Sequence, residues 1–478
     1  MQDRIKELEA RARALEPGRE ERQSLLDSVV AYCDRFLERL PELPAFELTE
    51  DKGIGLYDSP VSEDPVALEA LLKLLDHNVV RPGLNPASAG HLGYIPGGGI
   101  YPSALGDYIA AVTNRHTGVF FPGPGAVRME NMLLDWMADL VGYPESAAGS
   151  LSSGGSIANL GGIVTARDAH GLKARDFERS VIYLTDHVHH SVDKAIRIAG
   201  LGESVRTIVP VDTRRRMDPE ALEKAIQKDK AAGLSPWLVI ASAGTADTGA
   251  VDPLGDIGEI ASRHSLWFHI DGAYGAFFAL CEKGKKILLG MDRSHSMVMD
   301  PHKGLFLPYG TGAVLVKEGK HLSNAHYYDA HAHYMQDAAK SRDELAPADL
   351  SPELSRHFRA LRLWLPLKLF GVRPFRAALE EKMLLARYFH EKIQSMDGFE
   401  VGPYPDLSVV TFRYLPQQGD PDAFNQRLTD EIQKDGRVFL STTQLDGRFV
   451  LRLAVLSFRT HLDTIDLTLE ILKEKVKA

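Results

Sequence analysis

Between residues 90 and 320, short and nearly continuous apolar runs alternate with stretches of helical spacing, and this alternation restricts the chain to one fold class. The runs are Val181-Ile-Tyr-Leu184, Val205-Arg-Thr-Ile-Val209, Trp237-Leu-Val-Ile240, Leu266-Trp-Phe-His-Ile270, Met297-Val-Met299 and Ala313-Val-Leu-Val316. A strand without polar alternation belongs to a sheet covered on both faces. Between the runs, Asp218-Pro219 and Asp252-Pro253 each read as a helix N-cap followed by proline at the first helical position. Strands alternating with helices predict an α/β domain built on a parallel sheet.

The flanks differ. Residues 1–40 predict a helix, with Leu25, Leu26, Val29, Val30, Tyr32, Phe36 and Leu37 at helical spacing. A thinner stripe, Ile5, Leu8 and Leu15, precedes them among charges, and it suits docking on a partner subunit as well as on the chain's own domain. Pro41, Pro44 and Gly53 interrupt this pattern before a second helix, roughly Pro65 to Leu75. After residue 372 a long helix through Phe375, Leu379, Met383, Leu384, Phe389 and Ile393 leads to a strand, Leu407-Ser-Val-Val-Thr-Phe412. Another helix, a strand pair ending Phe449-Val-Leu-Arg-Leu-Ala454 and a final helix complete a small α+β unit. The expected division is a helical arm over 1–87, a large α/β domain over 88–372 and a small C-terminal domain over 373–478. Residues 321–350 are polar and weakly periodic, a connection of the length that carries function in compact enzymes.

Composition removes several function classes. Lys and Arg total 55 against 65 Asp and Glu, a net charge of −10. An acidic chain lacks the broad positive field that nucleic acid or an anionic membrane requires. The apolar share of 44% and charged share of 25% are those of an ordinary globular protein. Its length of 478 residues suits about three domains. Cys33 and Cys281 cannot build a paired-cysteine metal motif, and so few cysteines fit a reducing compartment. The start, Met1-Gln-Asp-Arg-Ile-Lys-Glu7, has no apolar h-region, and no apolar run reaches membrane-spanning length. A cytoplasmic protein that binds neither nucleic acid nor membrane is expected.

Four segments can carry chemistry. Ser152-Ser-Gly-Gly-Ser156 opens a helical run, where small residues let backbone N–H groups approach an anion; a plain tight turn serves the pattern equally well. It is neither a P-loop nor a dinucleotide fingerprint, and it lacks the final glycine of a nucleophile elbow. Asp186-His-Val-His-His190 follows a strand; His189 can stack on a flat cofactor, or with His331 and His333 supply metal ligands, although no spacing rule links them. In His269-Ile-Asp-Gly-Ala-Tyr274, Asp271 stands at the carboxyl end of an apolar strand, where α/β sheets bind ligands. Asp300-Pro-His-Lys-Gly304 places Lys303 after another strand; a lysine in a desolvated pocket becomes a nucleophile toward aldehydes. In combination, a phosphate cradle, a stacking ring, a strand-end acid and a strand-end lysine are the parts needed to hold pyridoxal phosphate, with lysine on its aldehyde and the acid on its ring nitrogen.

The order and content of these motifs resemble the group II pyridoxal-phosphate-dependent amino-acid decarboxylases, over about residues 54–470. Aromatic-L-amino-acid, tyrosine, histidine and glutamate decarboxylases belong to this family. The resemblance implies the type I aminotransferase-like fold and a homodimer with active sites at the subunit interface. It also implies decarboxylation of an L-amino acid to the amine and CO2 after the substrate amine displaces Lys303 from the cofactor. Lys303 matches the lysine that tethers the cofactor, and His302 is its usual neighbour. Asp271 matches the acid on the pyridine nitrogen, Ala273 the small residue on one ring face and His189 the imidazole on the other. Gly155 and Ser156 match the phosphate cup, and Thr245 a threonine near the cofactor. Tyr94-Ile95-Pro96 resembles a segment lining the substrate pocket, and Tyr334-Met-Gln-Asp337 the catalytic loop whose tyrosine protonates the carbanion. Arg356-His-Phe-Arg-Ala-Leu361 and Leu451-Arg452 match the family further on. No metal ligand is implied.

Three departures from the family pattern bear on the site. Ile157 stands where an acid is frequent, and Asp300 where some members carry Asn near the phosphate, so Asp300 is not assigned as a ligand. Gly304 replaces a common Trp, which implies a more open pocket wall. An aromatic substrate is expected, because nothing near Tyr94-Ile95-Pro96 supplies a charge for glutamate. The competing readings are a C–C lyase of the sphingosine-phosphate lyase type, an amine-oxidising aldehyde synthase, and a metal-dependent hydrolase built on the His189 and His331 clusters.

Overall fold

The computed structural model describes residues 1–327 and 344–477. Seven strands form the central sheet: β1 (Ala148–Ser152), β2 (Ser180–Leu184), β3 (Val205–Ile208), β4 (Ser235–Ser242), β5 (Trp267–Asp271), β6 (Ser296–Met299) and β7 (Gly312–Val316). Their order is β1-β7-β6-β5-β4-β2-β3. β7 runs antiparallel to both neighbours, and the remaining pairs are parallel. All six apolar runs became strands of this sheet.

Both faces of the sheet are covered, as continuous apolar strands require. In β5 alternate residues divide between the two sides. Phe268 and Ile270 enter the larger core with Val239, Met297 and Leu315. Trp267 lies on the opposite side with Ile182, Ile240, Val298 and Ile163. Helix Gly155–Ala169 packs on that second side, and its glycines permit the approach: a Cβ on Gly162 would lie 2.6 Å from the His269 ring.

Four further strands form an antiparallel sheet near the C-terminus: β8 (Phe399–Val401), β9 (Val409–Tyr414), β10 (Ser441–Leu445) and β11 (Arg448–Ala454), in the order β8-β9-β11-β10. Helices Arg373–Gln394, Pro421–Asp435 and Leu462–Lys475 bury Phe389, Leu428, Ile432, Ile465 and Leu469 against it.

Several sequence expectations needed correction. β1 was missed, because Ala148-Gly-Ser-Leu-Ser152 has no apolar run; a buried carboxylate holds it instead. The Leu151 N–H donates to Glu130 Oε1 at 3.1 Å, and Arg356 Nη1 lies 2.9 Å from that oxygen. The short strand β8 was also missed. The N-terminal helix is broken at Pro17-Gly18 into Gln2–Ala12 and Arg19–Arg39, and the next helix starts at Leu68. Asp218 caps helix Pro219–Ala231 as expected, accepting from the Glu220 and Ala221 N–H groups. Asp252 does not act as a cap. Its carboxylate is buried and accepts the N–H groups of Met217 and Ser242, both at 2.7 Å, which ties it to the end of β4.

Candidate active site

The carboxyl ends of β4, β5 and β6, the start of helix Gly155–Ala169 and the edge of the C-terminal sheet enclose a cavity of about 700 Å³. This is the size and the place in an open α/β sheet where small ligands bind. Of the residues singled out in the sequence, Tyr94, Ile95, Gly155, Ser156, His189, Thr245, Asp271, Ala273, His302 and Lys303 all line it. Pro96 is buried and does not. Tyr334, His331 and His333 lie outside the described residues.

At one end of the cavity, Ser153 and Gly154 lead into the first turn of helix Gly155–Ala169, whose N–H groups have no side-chain cap. An uncapped helix N-terminus offers donors and a partial positive charge to an anion. Only a small residue fits at its first position. A Cβ on Gly155 would lie 2.9 Å from Asp300 Oδ2 and 3.1 Å from the Ala273 Cβ.

Lys303 follows β6 in the short helix Pro301–Gly304. Its Nζ lies 3.0 Å from Asp300 Oδ2, and His302 Nε2 lies 3.6 Å from the same oxygen. Asp300 is therefore paired with the lysine, and its Oδ1 is buried without a hydrogen-bond partner. His302 Nδ1 lies 2.6 Å from the Thr311 carbonyl, an acceptor, so Nδ1 carries the ring proton; burial lowers the pKa of this histidine. Gly304 does not open the pocket wall. It is buried, and a Cβ there would lie 2.6 Å from the Phe277 Cβ, so Phe277 already fills the space.

Asp271 ends β5 and also lines the cavity. Its Oδ2 accepts from Asn159 Nδ2 at 3.0 Å and its Oδ1 from the Ala273 N–H at 3.2 Å. His189 caps helix His190–Ile198, its Nδ1 accepting the Ser191 N–H, and burial lowers its pKa. His187 is drawn off to Asp247, whose hydrogen bond raises its pKa.

The substrate side was less legible. Asn159, Tyr309, Ser441, Thr442 and Arg452 also line the cavity, and only Arg452 had been noticed. Arg452 directs its donors to the carbonyls of Tyr94, Ala246 and Asp247 and to Ser441 Oγ. It thereby holds Tyr94 at a φ of 51°, in the left-handed region where a side chain is rarely found. The cavity is lined by an uncapped helix end, by the Lys303 ammonium paired with Asp300, and by the Asp271 carboxylate. That pattern complements a ligand with a phosphate at one end, an aldehyde within reach of Lys303 and a protonated ring nitrogen at the other end.

Comparison with known proteins agrees with this chemistry. Residues 53–415 match the pyridoxal-dependent decarboxylase conserved domain. The aromatic-L-amino-acid decarboxylase of Bacillus atrophaeus is 35% identical over 395 residues, covering 82% of each chain. The phenylacetaldehyde synthase of Petunia hybrida is 28% identical over 436 residues, 87% of this chain and 85% of its own. The crystal structure of Oryza sativa TDC with PLP and tryptamine superposes with a TM-score of 0.90 at 26% identity, covering 96% of this chain and 98% of that one. The uncapped cradle beside Gly155, the amine of Lys303 and the carboxylate of Asp271 fit pyridoxal phosphate. The chain belongs to the pyridoxal-dependent decarboxylase family and is a pyridoxal-phosphate-dependent amino-acid decarboxylase.

Proposed function

We propose that the substrate is an aromatic L-amino acid, released as its amine and CO2. The observation carrying this reading is the engagement of Arg452: with its donors on three carbonyls and a serine, it does not offer a cation to a side-chain carboxylate. Tyr94, Ile95 and Tyr309 instead supply aromatic and apolar surface to the cavity.

When bound, pyridoxal phosphate supplies an aldehyde that condenses with amines and a ring that accepts the electron pair freed as CO2 leaves. Lys303 is the amine that would tether it. The N–H groups at Gly155 and Ser156 would hold the phosphate, and Thr245, whose Oγ1 lies 2.9 Å from Thr248 Oγ1, lines the same cavity. Asp271 holds the proton on the ring nitrogen. Ala273 and His189 line the same cavity and would pack on the ring, restricting its orientation. Tyr334, which matches the family's loop tyrosine, would deliver the proton to the substrate Cα.

The homodimer is part of the same proposal. Helix Arg19–Arg39 has no buried residue although it carries Leu25, Val29 and Val30, and Tyr101, Tyr108, Ile109 and Val112 are exposed on helix Tyr101–Thr113. A second copy would cover these faces. Two unpaired thiols, Cys33 and Cys281, support a cytoplasmic setting. Among the described residues no helix is long and apolar enough to cross a membrane.

A panel of L-amino acids assayed for both CO2 and amine tests the reading. Aromatic substrates should release equal amounts of the two, and preferential turnover of L-glutamate would overturn it. With Tyr334→Phe, amine formation should fall and aldehyde appear; full amine production would remove Tyr334 as donor.

A further inference from the structure

A chain of buried polar groups runs from β5 to the cavity wall, and of its members the mechanism above uses only Asp271 and His189. Trp267, His269 and Asp271 alternate along β5 and so share one face of the sheet. Trp267 Nε1 donates to Ser296 Oγ at 2.8 Å, and Ser296 Oγ lies 2.7 Å from His269 Nδ1. His269 Nε2 lies 2.9 Å from Asn159 Oδ1, and Asn159 Nδ2 donates to Asp271 Oδ2 at 3.0 Å. The same amide nitrogen donates to Ser191 Oγ at 3.2 Å, and Ser191 Oγ lies 2.7 Å from His189 Nδ1. Trp267, His269, Ser296, Asn159 and Ser191 are all buried.

The direction of every bond follows from the two ends. An indole N–H only donates and an ionised carboxylate only accepts. Ser296 accepts from Trp267, and it donates its own proton to His269 Nδ1 because the neutral His269 ring carries its one proton on Nε2, as the Asn159 end of the chain requires. Asn159 must turn its NH2 toward Asp271, since the flipped amide would set oxygen against oxygen. Its Oδ1 then needs a donor, and His269 Nε2–H is that donor. This is the neutral ring, consistent with burial pushing the His269 pKa down to about 4. On the other branch, His189 Nδ1 accepts the Ser191 N–H at 3.2 Å as well as its hydroxyl, which leaves the His189 ring proton on Nε2.

We propose that Asn159 is a positioning residue: its one amide, polarised through Trp267, Ser296 and His269, orients the Asp271 carboxylate and holds the Ser191 hydroxyl that, with the Ser191 N–H, meets His189 Nδ1. This rests on the assignment of Asp271 to the cofactor ring nitrogen. All three polar functions of the Asn159 side chain are used, so no other side chain of its size can replace it. Leu matches its shape but would leave the His269 N–H without an acceptor and remove one donor from each branch. The glycine at 162 belongs to the same device, because its missing Cβ is the space that the His269 ring occupies.

The test combines two measurements on holoenzyme: the 15N shift of the ring nitrogen of 15N-labelled pyridoxal phosphate, and the dissociation constant of the cofactor from dialysed protein. Circular dichroism confirms the fold of each variant. Asn159→Leu should weaken cofactor binding by at least about tenfold and move the ring nitrogen toward its unprotonated shift. Ser296→Ala touches neither Asp271 nor the cofactor cavity, and it should move the ring nitrogen the same way by a smaller amount. It keeps the test decisive where Asn159→Leu does not fold. Native shift and native affinity in folded Ser296→Ala, or in folded Asn159→Leu, would overturn the proposal. An unprotonated ring nitrogen in the unsubstituted enzyme would instead refute the role of Asp271, a separate failure.

Discussion

Acidification from pH 7 to pH 5 should lower the melting temperature of this enzyme, and the structure gives the size of the fall. His91, His269 and His295 are each pushed by burial from 6.5 down to about 4. Each is neutral when folded and takes up a proton more readily when unfolded. Their contribution is therefore complete above about pH 6.5 and lost as the pH falls toward 4. At pH 5 the loss is about 2 kcal/mol per histidine. Asp252 acts in the opposite sense: burial pushes it from 3.8 up to about 6, so protonation returns about 1 kcal/mol over the same interval. The net loss is about 5 kcal/mol. A chain of 478 residues has an unfolding entropy of about 1 kcal/mol per kelvin, so the melting temperature should fall by about 5 °C. Calorimetry at matched ionic strength, with saturating cofactor at both pH values, measures it. His295→Gln removes one of the three groups and should reduce the fall by about two-fifths. An unchanged or rising melting temperature at pH 5, or an undiminished fall in His295→Gln, would refute the reasoning.

Two substitutions probe the scaffold and the cradle. Glu130→Ala leaves Arg356 buried without its carboxylate and β1 without its anchor, and should cost about 3–5 kcal/mol, read as a lower melting temperature. Gly155→Ala places a methyl 2.9 Å from Asp300 Oδ2, and should weaken cofactor binding by about tenfold or more while the melting temperature of cofactor-free protein changes by less than about 2 °C.

The sheet was legible because burial on both faces writes itself into uninterrupted runs such as Trp237-Leu-Val-Ile240. β1 was not, because Ala148-Gly-Ser-Leu-Ser152 is held by Glu130 and Arg356, partners distant in sequence. Asp252-Pro253 repeated the capping pattern of Asp218-Pro219, yet burial turned Asp252 to Met217 and Ser242. In the site, residues that meet the cofactor chemically stood in recognisable motifs around Lys303, Asp271, His189 and Gly155. Asn159 and Ser296 were silent, since a polar residue inside a helix or strand carries no local mark of the partner it meets across the sheet. Gly304 misled for a related reason: its neighbour Phe277 lies on another segment, and packing between segments is not written at either position.

Reduction with borohydride followed by peptide mapping addresses the tether itself. The account predicts that purified enzyme is yellow and that reduction fixes one pyridoxyl group on the peptide containing Lys303, with Lys303→Ala taking up none and losing turnover. A pyridoxyl group fixed on another lysine, or full decarboxylation by folded Lys303→Ala, would contradict it.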